Sequence, residues 1–149
     1  MDQIRELLQV YLRVQGLVDL GQSDISDVPK KGKLFCGFDI SDIPYFCIGL
    51  DPGNNFSINY KHLRDQNDFP SLSEQHCSIV REEDTRWLHD HGSDTGTYIG
   101  RVGINDNDFV RIDSGYENKI RMSNGDIIGL LPYHGDFLLK INYSYGILQ

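Results

Sequence analysis

Nothing in this chain approaches the roughly 20 consecutive apolar residues that a membrane-spanning helix needs. The N-terminus, MDQIREL, carries acidic residues where a signal peptide has a basic head and an apolar middle. Cysteine is scarce: Cys36, Cys47 and Cys77 are odd in number, far apart and free of CxxC spacing, which argues against a disulfide framework and a thiolate zinc site. Each sits in an apolar stretch and reads as a small core residue. Positive charge is also short, with 14 Lys and Arg against 22 Asp and Glu and a net charge of -8. That balance weighs against a nucleic-acid footprint, which needs clustered cations to displace counterions from phosphate. A GxSxG nucleophile elbow, a P-loop and a dinucleotide fingerprint are missing too. The expectation is an intracellular protein, nuclear or cytoplasmic, that uses no cofactor, is no enzyme, and has neither membrane nor nucleic acid as partner.

What is present suits one globular domain. The 149 residues suffice for a single core, and 39% hydrophobic with 24% charged residues is the balance of a soluble fold. Fifteen glycines predict many turns. Along residues 2–20, Ile4, Leu7, Leu8, Tyr11 and Val18 recur near helical spacing, with Asp2 and Glu6 early where the helix dipole favours them. The spacing predicts an N-terminal amphipathic helix over 1–22, weakened at Gly16, then a polar linker over 23–33 containing Pro29 and Gly32. Such a helix packs on its own domain or offers its apolar stripe to a homo-oligomer or another protein's groove.

From residue 34 to 149 the texture changes to short apolar runs: 34–38, 45–50, 56–60, 77–80, 97–100, 109–112, 126–131 and 137–143. Clusters such as DPGNN, DHGSDTG and SNGD part them, which predicts an all-β sandwich or barrel. Four motifs then occur in order: Ile48-Gly49, Ser73-Glu74-Gln75-His76, a stretch from Asp90 through Ser93, Asp94, Thr95 and Gly96 to Thr97, and Asn124-Gly125-Asp126 before an apolar run. In this order they resemble the forkhead-associated (FHA) domain, whose pattern runs Gly-Arg, Ser-x-x-His, Asp-x-x-Ser-x-Asn-Gly-Thr and Gly-Asp. The resemblance covers about residues 34 to 143. It implies a β-sandwich of two antiparallel sheets that binds phosphothreonine peptides through loops at one end.

A phosphothreonine carries nearly two negative charges and three strong acceptors, so its pocket needs hydroxyl and amide donors and a cation. On the resemblance, Ser73 supplies its hydroxyl and backbone N–H, Ser93, Asp94, Thr95 and Gly96 form the facing loop, and Gly49, His76, Gly96, Thr97, Gly125 and Asp126 are structural. The departures are specific. Leu50 stands where the family has its arginine, Glu74 where a basic residue often follows the serine, Asp94 where Ser or Thr is common, and Thr95 where an asparagine grips the peptide. Lys61 and Arg64, in the segment YKHLRDQNDFP, are the cations available to refill the pocket. The reading is a protein-interaction module of signalling or scaffold type that does not depend on phosphate, with a rearranged phosphothreonine reader as the alternative.

His89, Asp90 and His91 invite two other chemistries. Two histidines two apart on a strand share a face and suit zinc, but if the strand ends near Asp90 the alternation breaks before His91, so no metal site is expected. A Ser93, His91 and Asp90 triad needs groups brought from separate elements, whereas neighbours on one turn diverge.

Overall fold

The computed structural model describes residues 3–12, 33–57, 72–101, 109–112, 118–133 and 136–148. Within them eleven strands run in chain order: β1 (Gln3–Leu12), β2 (Lys33–Asp39), β3 (Tyr45–Gly49), β4 (Phe56–Ser57), β5 (Cys77–Glu82), β6 (Thr85–Asp90), β7 (Thr97–Gly100), β8 (Val110–Arg111), β9 (Lys119–Arg121), β10 (Ile127–Tyr133) and β11 (Asp136–Leu148). They form a six-stranded sheet ordered β2-β1-β11-β10-β7-β8 and a five-stranded sheet ordered β4-β3-β5-β6-β9. All pairings are antiparallel except the short parallel contact of β3 with β4, a departure from the purely antiparallel expectation.

Side chains alternate across each strand, so one face of each sheet is apolar and the two faces close on one another. Phe46 and Ile48 of β3, Ile79 of β5 and Leu88 of β6 meet Leu8 and Val10 of β1, Ile99 of β7, Ile128 and Leu130 of β10, and Leu139 and Ile141 of β11. Each such side chain contributes about 1.5–3 kcal/mol by leaving water. Phe38 adds edge and tilted ring contacts to Phe46 and Phe56 at 5.1 and 5.2 Å.

The expected N-terminal helix is not formed over Gln3–Leu12, which is strand β1. The sequence there satisfies both periods: Ile4, Leu7, Leu8 and Tyr11 fit a helix, while Leu8 and Val10 fit the inward face of a strand. Long-range pairing decides. β1 runs in continuous register with β11 from Gln3↔Leu148 to Leu12↔Leu139 and also pairs with β2. The helical stripe expected to serve a homo-oligomer is therefore absent from these residues, and residues 13–32, with the rest of that helix and the linker, lie outside the described ones.

Glu6, also inward on β1, anchors an ionic cluster between the sheets. Arg86 of β6, nearly fully buried, donates from Nε to Glu6 Oε1 at 2.7 Å and from Nη2 to Glu6 Oε2 at 3.0 Å and to the Ile40 carbonyl at 2.7 Å. The Tyr143 hydroxyl donates to Glu6 Oε1 at 2.8 Å. Arg81, directly across from Arg86, comes within 3.7 Å of Glu6. Burial opposes ionisation of Glu6, but hydrogen bonds from Arg86 and Tyr143 and the charges of both arginines outweigh it, and the carboxyl is held below its ordinary value.

Candidate functional site

The ends of β3 and β6 and the starts of β5 and β7 converge at one end of the sandwich, as the pairings Ile48↔Cys77 and Cys77↔Asp90 require. The turn at 50–54 is strapped to the turn at 73–76 by three hydrogen bonds. Leu50 N–H donates to the Ser73 carbonyl (3.1 Å), Asp51 N–H to the Glu74 carbonyl (3.2 Å), and Asn54 Nδ2 to the same Glu74 carbonyl (2.8 Å). This closeness explains Gly49: a Cβ there would stand 2.1 Å from the Glu74 carbonyl oxygen.

His76 ties this pair of turns to the opposite sheet. Its backbone N–H donates to the Ile48 carbonyl at 3.0 Å, its Nδ1 accepts the Ser73 N–H at 3.2 Å, and its Nε2 lies 2.9 Å from the Gly96 carbonyl. With Nδ1 accepting, Nε2 carries the proton and donates to Gly96, so the ring is neutral. Burial lowers its pKa, against the Gly96 carbonyl and the charges of Asp90 and Asp94, which act the other way. His76 is a brace. The Ser73 backbone N–H, expected at the ligand, is engaged by His76, and the Ser73 Oγ accepts the Asp94 N–H.

The Asp90-to-Thr97 loop is built around a buried carboxylate. Asp90 Oδ1 accepts from the Ser93 hydroxyl (2.5 Å) and the Thr97 hydroxyl (2.7 Å), and Oδ2 from the N–H groups of Gly92 (3.1 Å) and Ser93 (3.3 Å). Ser93, expected at the ligand, is buried with its hydroxyl on Asp90 and shapes the loop from within. Gly96 has φ +89°, a left-handed conformation that glycine adopts without strain. Gly125 and Asp126 lie at the other end of the sandwich, where Ile127 pairs with Gly100. There Asp126 Oδ2 accepts the Ser123 N–H at 2.7 Å and faces Arg101 Nη1 at 3.3 Å, which closes the turn into β10.

Beside Ser73 in the two loops stand Glu74 and Asp94, both exposed, and the half-buried Thr95, while half-buried Leu50 packs against the core. Asp94 N–H donates to Ser73 Oγ at 3.3 Å and joins the two loops. Lys61 and Arg64 lie outside the described residues. The cation that stands beside these loops is one the sequence reading missed. Arg111 of β8, paired across from Tyr98, places its guanidinium against Gly96, with Nε 2.8 Å and Cζ 3.0 Å from where a Gly96 Cβ would be. The only sequence signal was an arginine in an apolar run following the Gly-Thr motif, and nothing local gave its register against β7.

Asp90, His91 and Ser93 do not form a relay. Asp90 points inward, and His91 Nε2 lies 2.9 Å from the Ser78 hydroxyl. His89 faces the Lys119 side of the outer surface, where burial and then the Lys119 charge lower its pKa. Among the described residues no three His, Cys, Asp or Glu side chains converge as a metal site.

Similar folds are known. The chain resembles full-length Pml1p of yeast with a TM-score of 0.60 and 17% identity, over 97% of this chain and 83% of that one. It resembles the FHA domain of the CT664 protein of Chlamydia trachomatis with a TM-score of 0.52 and 13% identity, over 94% and 96% of the two chains. The N-terminal FHA domain of Rad53p from S. cerevisiae, in complex with a phosphothreonine peptide, aligns with a TM-score of 0.50 and 20% identity over 94% of each chain. Comparison with curated protein sequences gives no match. At such identities the likeness shows the fold, and the sequence itself supplies the family: the FHA-domain model matches residues 46–130, more than half of the chain, and spans the frame from Phe46 to Leu130 that holds Gly49, His76 and Asp90. This chain belongs to the FHA-domain family.

Proposed function

We propose that this FHA domain is a protein-interaction module whose loop end grips a partner segment without requiring phosphothreonine, and that it acts by binding, not by catalysis. The observation that carries this reading is the make-up of the mouth. The loops are braced from beneath by His76 and Asp90, yet the exposed residues flanking Ser73 are Glu74, next in the chain, and Asp94, whose N–H donates to Ser73 Oγ, while Leu50, where the family has its arginine, packs against the core. A phosphate dianion placed there would meet two carboxylates, and each like-charge pair a few ångströms apart costs about 1 kcal/mol even in water. Ser73 with Thr95 then serves as a neutral hydrogen-bonding ledge for a peptide backbone or hydroxyl. Its three unpaired cysteines suit a reducing compartment, and we place the protein inside the cell, in nucleus or cytoplasm.

The Rad53p domain is seen with a phosphothreonine peptide, and yeast Pml1 is a splicing factor integrated into the RES complex, so proteins of this fold include one bound to a peptide and one that sits in a larger assembly. The test is a titration of the full chain with a degenerate phosphothreonine peptide library and its unphosphorylated counterpart. Equal retention of both is expected. Retention of the phosphorylated library alone would support a rearranged reader in which Lys61 or Arg64 fills the pocket.

A further inference from the structure

Arg111 is fixed in place and pairs with no carboxylate among the described residues. Its backbone is pinned on the β7 edge by the Tyr98↔Arg111 pairing and, one residue on, by the bond from Ile112 N–H to the Thr97 carbonyl at 2.8 Å. Ile112 is buried, which anchors the strand beneath the exposed arginine. The guanidinium carbon stands 6.0 Å from the Tyr98 ring centroid, a cation–π contact that restricts the side chain. On its other side it rests against Gly96, where the missing Cβ leaves it room. No carboxylate pairs with it among the described residues, although Asp51, Glu74 and Asp94 occupy the same end of the sandwich.

We infer that Arg111 is the anion contact of this binding surface, and that the partner segment carries an Asp or Glu whose carboxylate meets Arg111 where it crosses the Thr95–Gly96 turn. The inference rests on the proposed phosphate-independent reading and names the chemistry of its partner. Charge complementarity sets the choice of occupant. Near Glu74 and Asp94 an acidic side chain is repelled, while over Gly96 it finds a planar fork of donors that matches a carboxylate. Tyr98 holds the fork before the ligand arrives, so less freedom is lost on binding.

The experiment uses the full chain and an unphosphorylated degenerate peptide library with one position fixed in turn as Asp, Asn or Lys, beside a phosphothreonine-centred library with the same fixed positions. Wild type should retain Asp-fixed over Asn-fixed peptides by about two- to fivefold, the span of an exposed ion pair, and raised salt should shrink the preference. Arg111→Gln should abolish the preference and Arg111→Lys keep a weaker one, each read as the ratio of Asp-fixed to Asn-fixed retention within the same variant. A preference that is absent in wild type, or that survives Arg111→Gln, overturns the assignment to Arg111 while the interaction reading stands. Retention of the phosphothreonine library alone overturns phosphate independence, and Arg111 is then decided by the Asp preference within that library. No retention of any peptide overturns both.

Discussion

Asp90 and Arg86 sit on the same face of β6, both are nearly fully buried, and they have opposite charges and opposite kinds of partner. Asp90 accepts four hydrogen bonds from residues no more than 7 positions away, Gly92, Ser93 and Thr97. Arg86 reaches Glu6 and Ile40, which are 80 and 46 positions away. A buried charge solvated by its own loop fixes the shape of that loop and so serves the binding end. A buried charge solvated across the sandwich fixes the relation of the two sheets and so serves the fold. Arg86 also leaves Nη1 without a partner among the described residues, whereas both Asp90 carboxylate oxygens are occupied.

Removing each charge should separate the two roles. Arg86→Met leaves partly buried Glu6 with only the Tyr143 hydroxyl and Arg81 at 3.7 Å, and breaking a buried pair costs up to about 3–5 kcal/mol. Urea unfolding should show that loss, and adding Glu6→Gln should recover part of it, because the stranded carboxylate is what destabilises. Asp90→Ala should cost less, about 1–3 kcal/mol for buried donors left unsatisfied. Hydrogen exchange should rise across residues 91–97 in that variant and stay unchanged at the Arg86 end, and peptide retention should fall in the fraction that remains folded.

Acid sharpens the same comparison with a smaller effect. His76 and Glu6 both have folded pKa values below their ordinary 6.5 and 4.5. In each case the unfolded chain takes up the proton first, so the stabilisation is complete above the ordinary value and is lost as pH falls towards the folded one. Unfolding free energy should decline in two stages, first below about 6.5 from the binding end and then below about 4.5 from the inter-sheet cluster. His76→Gln should remove its share of the first stage, leaving that of His89, and Glu6→Gln should remove its share of the second, leaving that of Asp39.

The contrast between local and distant partners also explains what the sequence revealed. The runs at 45–50, 77–80, 97–100 and 126–131 became β3, β5, β7 and β10 because each is a short apolar run bounded by turn residues. β6 escaped notice as a run because Arg86 and Asp90 occupy two of its three inward positions, and its inner face reads as polar. β1 was misread because helical and strand periods coincide over residues 4–11, and the deciding partner, β11, lies at the far end of the chain. At the site, Gly49, His76, Gly96 and Thr97 were legible because their roles follow from close approach, left-handed backbone and local bracing. Ser93 was placed on the right loop but on the wrong side of it, since nothing in the sequence tells whether a hydroxyl turns to the ligand or to Asp90. Arg111 was invisible for the same reason as Arg86: its position depends on the register of another strand.

On the proposed reading the frame of the site is intact and only the side chains at its mouth set it apart from a phosphothreonine pocket. The measurement that tests it most directly is the ratio of phosphorylated to unphosphorylated peptide retention for the variant Leu50→Arg, Glu74→Arg, Asp94→Thr, alongside wild type. A ratio near one is expected for wild type and a clear preference for the phosphothreonine peptides in the variant. A wild type that already prefers phosphothreonine, or a folded variant that remains indifferent to it, would contradict the claim.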